Sequence, residues 1–270
     1  MSENELKPND VLHNVPEGGW KPMSMEVVKR RVAKLRALVK EYMKLPVDEL
    51  AKMVKLCKGN VKTGGRYYTV SLAPVIDCVN CALCKMWCYD LQSVVITKPV
   101  QKLRAINSAL HTKDPGRYWV QIESLVQALF VDNLRINVGG DISGNDLNGI
   151  ISMCKYCPKT IFHVFTKSYK DCNRILSAYD GELPANLKLI YSRWPGMKCD
   201  NPYRIPECHV DFGDGKCEAP ADSPICEGNC SKCAYEGSGC HGLKKGESVV
   251  IKYHTNVAFA IQKGNKETEK

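Results

Sequence analysis

An α/β fold of βα units around a mostly parallel sheet is predicted by three features of the 270-residue sequence. Short runs rich in β-branched and aromatic residues alternate with helical stretches, and each run ends in a polar or glycine-bearing loop. Strand–helix–strand repeats of this length close as parallel pairs with a crossover. Both an open sheet and a partial or full β/α barrel satisfy these features, and either gathers function at the carboxyl ends of the strands.

The elements follow in order. Residues 1–58 read as a basic helical extension, because Lys21 to Lys58 carries eleven Lys and Arg against Glu26, Glu41, Asp48 and Glu49, most of the chain's net charge of +9. Val28, Val32, Leu35, Val39 and Tyr42 recur at helical spacing, with Lys29, Arg30, Lys34, Arg36 and Lys40 mostly off that stripe. Pro46, Asp48 and Glu49 stop this helix and begin a short second one through Leu56, which makes a hairpin. Its outer face is a solvated surface or a nucleic-acid contact. Arg66 to Leu72 fits a first strand, followed by helices at Val100–His111 and Tyr118–Leu134 and a strand at Arg135–Val138. A helix at Leu147–Cys157, a strand at Ile161–Phe165 and a helix at Asp171–Tyr179 repeat the cycle. Strands at Leu187–Tyr191 and Ser248–Tyr253 complete it. Asp141, Lys167, Arg193 and His254 each follow a predicted strand, so they are candidates to face one crevice and to act on cofactor or substrate.

Hydrophobic residues at 44% and charged residues at 25% exclude a disordered or collagen-like chain. Met1 to Pro22 lacks the apolar core of a secretory signal, and no run of eighteen apolar residues is present. A cytoplasmic, non-membrane protein is the expectation. Fifteen cysteines then point to metal ligands or redox groups rather than disulfides. Phosphate-loop, zincin and nucleophile-elbow motifs are absent.

The cysteines cluster twice. Cys78, Cys81, Cys84 and Cys88 have the C-x2-C-x2-C-x3-C spacing of the bacterial ferredoxin run, directly after the first strand, with Tyr89 where that run has proline. A [4Fe–4S] cluster is the leading expectation, and zinc or redox-active thiols are the alternatives. Cys217, Cys226, Cys230, Cys233 and Cys240, followed by His241, lie in a stretch from Pro195 to Gly246 too rich in Pro, Gly and Asp to hold itself by apolar burial. A second cluster or a structural zinc would staple that stretch. Cys154, Cys157, Cys172, Cys199 and Cys208 read as ordinary thiols.

Gly59-Asn60-Val61-Lys62-Thr63-Gly64, Ser71-Leu72-Ala73-Pro74, Cys78 and Cys88-Tyr89 resemble the opening motifs of the phage gene product 88-like domain family. Gly140-Asp141, Phe165-Thr166-Lys167, Leu183 to Leu187, Cys226 to Cys240 and Val250 to His254 extend the resemblance over about residues 59–256, leaving 257–270 as a polar tail. It implies a phage or prophage origin, a host-cell cytoplasmic location and a domain without an assigned reaction. It also implies a layout similar to proteins regarded as relatives of radical S-adenosylmethionine barrels. Two functions follow as expectations. One is an iron–sulfur enzyme of that type, with three of Cys78, Cys81, Cys84 and Cys88 on the cluster, S-adenosylmethionine as co-substrate and an external electron donor. The other is a metal-stapled module that binds nucleic acid or another partner without catalysis.

Overall fold

The computed structural model describes residues 22–58, 67–94 and 97–253. The Gly59–Gly64 motif, His254, the tail at 257–270 and most of the segment before α1 lie outside them. The basic extension forms α1 (Met25–Tyr42) and α2 (Val47–Met53), as the apolar stripe predicts. Ser24 caps α1 by accepting the Val27 N–H at 3.3 Å, and Val28, Val32, Leu35 and Val39 are buried. Both helices pack on α4 (Lys98–Lys113), and the α1 cations stay on the solvent side.

Seven strands pair in the order in which the chain makes them: β1 (Cys57–Lys58), β2 (Tyr67–Val70), β3 (Asn133–Ile136), β4 (Ile161–Thr166), β5 (Leu187–Arg193), β6 (Glu207–Asp211) and β7 (Ser248–Lys252). All neighbouring pairs are parallel except β1–β2. The barrel expected as one alternative does not close. The edge of β2 is taken by the short antiparallel β1, and β7 forms the other edge.

Alternate residues of a strand point to opposite faces, and here the two faces differ in chemistry. Val70, Leu134, Ile136, Phe162, Val164 and Leu189 are buried on the outer face. They pack with α5 (Pro115–Ala128), α6 (Asp146–Tyr156) and α7 (Tyr169–Leu176), where each large apolar side chain contributes roughly 1.5–3 kcal/mol on burial. Cys154, Cys157 and Cys172 belong to this core, as ordinary buried thiols do. The inner face presents Tyr67, Thr69, Arg135, His163, Phe165 and Cys208 instead. Sequential parallel strands joined by helices on one side leave the other face free for a site.

Besides β1 and the short helices at Tyr89–Val94 and Cys230–Glu236, which the sequence reading did not name, two elements differ from the sequence expectation. The helix expected to run to Leu134 ends six residues earlier, at Ala128, and β3 begins at Asn133, two residues before the expected Arg135. The stop is a Schellman motif in which the Val131 N–H bonds the Val126 carbonyl and the Phe130 N–H bonds the Gln127 carbonyl. Its left-handed position, φ +49°, is filled by Phe130 rather than by glycine, so the sequence carries no stop signal. The second difference is β6, which lies inside the stretch read as aperiodic. Its residues, Glu207-Cys208-His209-Val210-Asp211, are paired on both sides by β5 and β7 and gain their strand from that pairing.

Candidate metal centre and its cavity

Beyond β2 the chain turns at the carboxyl end of the sheet. Asp77 fixes the turn, its carboxylate accepting the Ala73 N–H at 2.9 Å and the hydroxyl of Ser108 on α4 at 2.5 Å. The loop from Cys78 to Cys88 follows, leading through a 3₁₀ turn at Lys85–Trp87 into α3 (Tyr89–Val94). The Sγ atoms of Cys81 and Cys84 are 3.9 Å apart, and Cys78 also hydrogen-bonds Cys81 through its thiol. Backbone N–H groups point at two sulfurs, Val75 to Cys78 at 3.2 Å and Leu91 to Cys88 at 3.3 Å. The thiol contacts from Cys78 and Cys84 push the Cys81 thiol up, whereas the Cys81 contact holds Cys84 below the ordinary thiol value against its burial, with Lys167 assisting.

The loop is tied down at both ends of the rim. Asn80 donates its side-chain N–H to the Lys167 carbonyl at 2.6 Å. Tyr253 donates its hydroxyl to the Trp87 carbonyl at 2.6 Å, and the Trp87 ring lies 4.7 Å from that of Phe212 and 5.3 Å from that of Tyr253.

The polar residues predicted after the strands divide. Lys167, just past the end of β4, is a half-buried cation that lines the cavity and faces the thiols; desolvation alone would depress its pKa, but Cys84, Asp141, Cys78 and Cys88 raise it. Asp141 stands behind it, 2% exposed, accepting the Thr166 hydroxyl at 2.6 Å, the Ile142 N–H at 2.8 Å and the Lys167 N–H at 2.9 Å. Burial pushes its carboxyl above the usual range, and these partners pull the other way. Arg193 is not brought to the cavity: it pairs with Glu207 at 3.1 Å and Glu218 at 3.2 Å, while its neighbours Ser192 and Trp194 line the wall.

Over the inner face lies a cavity of about 470 Å³, within the range of small-molecule sites. Several buried polar atoms on its wall have no hydrogen-bond partner: both amide atoms of Asn137, Asn107 Oδ1 and Arg135 Nε. Such atoms are costly unless a ligand or water meets them. Asn107 Nδ2 is held by the Ser71 carbonyl at 2.9 Å, so its free oxygen is aimed rather than adrift.

Cys226, Cys230 and Cys240 wall the cavity from the other side, beside Cys208. Burial and the neighbouring Cys230 thiol push up Cys233, on α8 (Cys230–Glu236), and burial with Cys226 and, least, Cys217 pushes up Cys208. Sequence reasoning named His241 only as the residue that follows Cys240, and it passed over His163. His163 and His241 stack at 4.4 Å between ring centroids, and burial, aided by Arg135, holds both below the ordinary histidine range, His241 at about 4. The inward alternation of β4 was the signal for His163, and adjacency to Cys240 the signal for His241.

A family model described as gene product 88 matches residues 48–198, more than half of the chain. The chain belongs to the gene product 88 family. The part shared with that family runs from α2 through β5 and holds the Cys78–Cys88 loop, Asp141, Lys167 and Arg193; β6, β7 and the C-terminal cysteines lie beyond it. No curated protein and no solved structure matches the chain. Among the described residues, no helix is long and apolar enough to cross a membrane.

Proposed function

We propose that this gene product 88 family member is an iron–sulfur enzyme of the radical S-adenosylmethionine type, acting in the cytoplasm of a host cell. The observation that carries the reading is the convergence of the Cys78, Cys81 and Cys84 thiols at the carboxyl end of the first parallel strand, linked through the Cys84–Lys167 charge interaction to a cavity that Lys167 lines and that has unmet polar atoms. The donor set suits such a group: thiols within reach of one another, backbone N–H groups aimed at sulfur, and a half-buried cation, Lys167, to offset charge on them. Cys78, Cys81 and Cys84 would hold a [4Fe–4S] cluster, with Cys88, whose sulfur accepts the Leu91 N–H, as the fourth thiol of the run. The chemistry supplied by such a cluster, when bound, is one-electron reduction of S-adenosylmethionine with an electron from an external donor. This chain's own residues orient and enclose the reactants. Asn107, Asn137 and Arg135 offer hydrogen-bonding atoms to their polar groups, and Trp194 and Tyr253 form an aromatic wall that excludes water. Asp141 acts as a positioning residue by fixing the backbone of Lys167.

The test is metal and sulfide analysis of anaerobically reconstituted protein. About four irons and four sulfides per chain, with visible absorbance that dithionite bleaches and that S-adenosylmethionine perturbs, are expected. Cys84→Ser should retain no more than about one-tenth of the iron. A colourless protein containing zinc alone would overturn the enzyme reading in favour of a metal-stapled binding module.

The outer face of α1 supports a partner as well. Lys29, Arg30, Lys34, Arg36 and Lys40 are exposed, with only Glu26 and Glu41 as acids on that helix. We propose that they contact a nucleic acid. Binding of a duplex should weaken with salt, and the triple change of Lys29, Lys34 and Lys40 to Gln should reduce the log–log salt slope by about 3; an unchanged slope would assign the cations to solubility alone.

A further inference from the structure

Two imidazoles and a thiol meet on the inner face of the sheet, apart from the Cys78–Cys88 loop. His163 comes from the middle of β4 and is 3% exposed; His241, 4% exposed, comes from the turn after α8, next to Cys240. One ring nitrogen of each is already committed. His163 bonds the backbone of Cys240, and Nε2 of His241 bonds the hydroxyl of Tyr67. The other nitrogen of each ring, His163 Nε2 and His241 Nδ1, is buried without a partner. One ligating atom from each of His163, Cys240 and His241 can be chosen so that all three lie within 4.8 Å of one another.

A plain packing cluster does not account for this. Two buried lone pairs left unmet cost about 1–3 kcal/mol each. Neutral imidazoles with one nitrogen oriented by a polar neighbour and the other free are the usual state of histidine ligands, and here the outer partners are the Tyr67 hydroxyl and the Cys240 backbone. Ligand atoms across a tetrahedral zinc are about 3.3–3.8 Å apart for Zn–N near 2.0 Å and Zn–S near 2.3 Å, so side-chain rotation brings these three into place.

We propose that His163, Cys240 and His241 bind one divalent ion of the zinc class, at a site separate from the Cys78–Cys88 loop. Two imidazole nitrogens and a thiolate form a borderline-soft donor set that suits zinc. Cys230 lines the same cavity as His163 and Cys240 and is the candidate for a fourth ligand. The ion would pin the turn at Gly239–His241 to β4 directly and to β2 through Tyr67, fastening the glycine-rich segment to the sheet by bonds that apolar burial does not supply there.

The test uses the full chain, iron-loaded without oxygen, dialysed with zinc and then freed of excess. About one zinc per chain is expected, and its X-ray absorption should give a first shell of two nitrogens with one or two sulfurs. His163→Ala and His241→Ala should each lower zinc retention by 10-fold or more while iron is kept, whereas Cys217→Ser should keep both. Because a histidine variant can lose metal by misfolding, the wild-type shell decides independently. A shell of sulfur alone, the absence of zinc from the wild-type protein, or full retention in both histidine variants would overturn the assignment.

Discussion

Gly140→Ala is expected to destabilise the protein by roughly 2–6 kcal/mol, the sum of a strained backbone and an overpacked contact. Gly140 sits at φ +77°, in the left-handed region, where it lets the loop after β3 pass against the start of the loop after β2. A Cβ there would lie 2.6 Å from the Leu72 Cβ and 3.2 Å from the Leu72 backbone. Leu72 cannot withdraw, because it is fully buried and its N–H is bonded to the Gly139 carbonyl at 3.0 Å. Relief would have to come from the chain that leads to Cys78, so weaker metal retention should accompany the loss of stability. Urea unfolding, followed by circular dichroism, measures the first effect, and a midpoint within error of wild type would show that the two loops are not packed as described.

Asp141→Ala should cost about 3–5 kcal/mol, the range for breaking a buried charged network from one side. Three donors, the Thr166 hydroxyl and the N–H groups of Ile142 and Lys167, lose their acceptor at once in a place water does not reach. Asp141→Asn retains an oxygen for part of the set and should fall between alanine and wild type. A brace gives that order in chemical denaturation of the metal-free protein. A side chain serving only the reaction would leave all three proteins equally stable, and that result would return Asp141 to the role its place after β3 first suggested.

The outer face of the fold was legible because its code is redundant. Ile136, Phe162 and Val164 announce strands by composition, the stripe from Val28 to Val39 announces α1 by period, and both signals come from burial that any chain of this class must achieve. Polar residues were harder to place. Asp141, Lys167 and Arg193 all follow strands, yet a one-residue difference in phase sends Arg193 to an ion pair with Glu207 while Ser192 and Trp194 reach the cavity. His163 shows the converse: on a short apolar strand a lone histidine reads as a core residue, and its partner His241 comes from 78 positions away, beyond the reach of any local pattern. The end of α5 escaped for a simpler reason, since Phe130 adopts a conformation that sequence reading assigns to glycine.

The open ladder of strands is bridged by side chains instead of hydrogen-bonded backbone. Tyr253, just past the last strand, holds Trp87 in the cysteine loop after the first parallel strand, a contact spanning 166 residues, and Tyr67 meets His241 across 174. Contacts of that span are the slowest to form, because the loop entropy they close must be overcome before they contribute. During synthesis the cysteines emerge early, while the residues that fix their surroundings emerge near the end of the described chain. The loop therefore spends most of translation with its thiols unenclosed, and its enclosure is timed by the arrival of Tyr253 rather than by the appearance of the cysteines themselves.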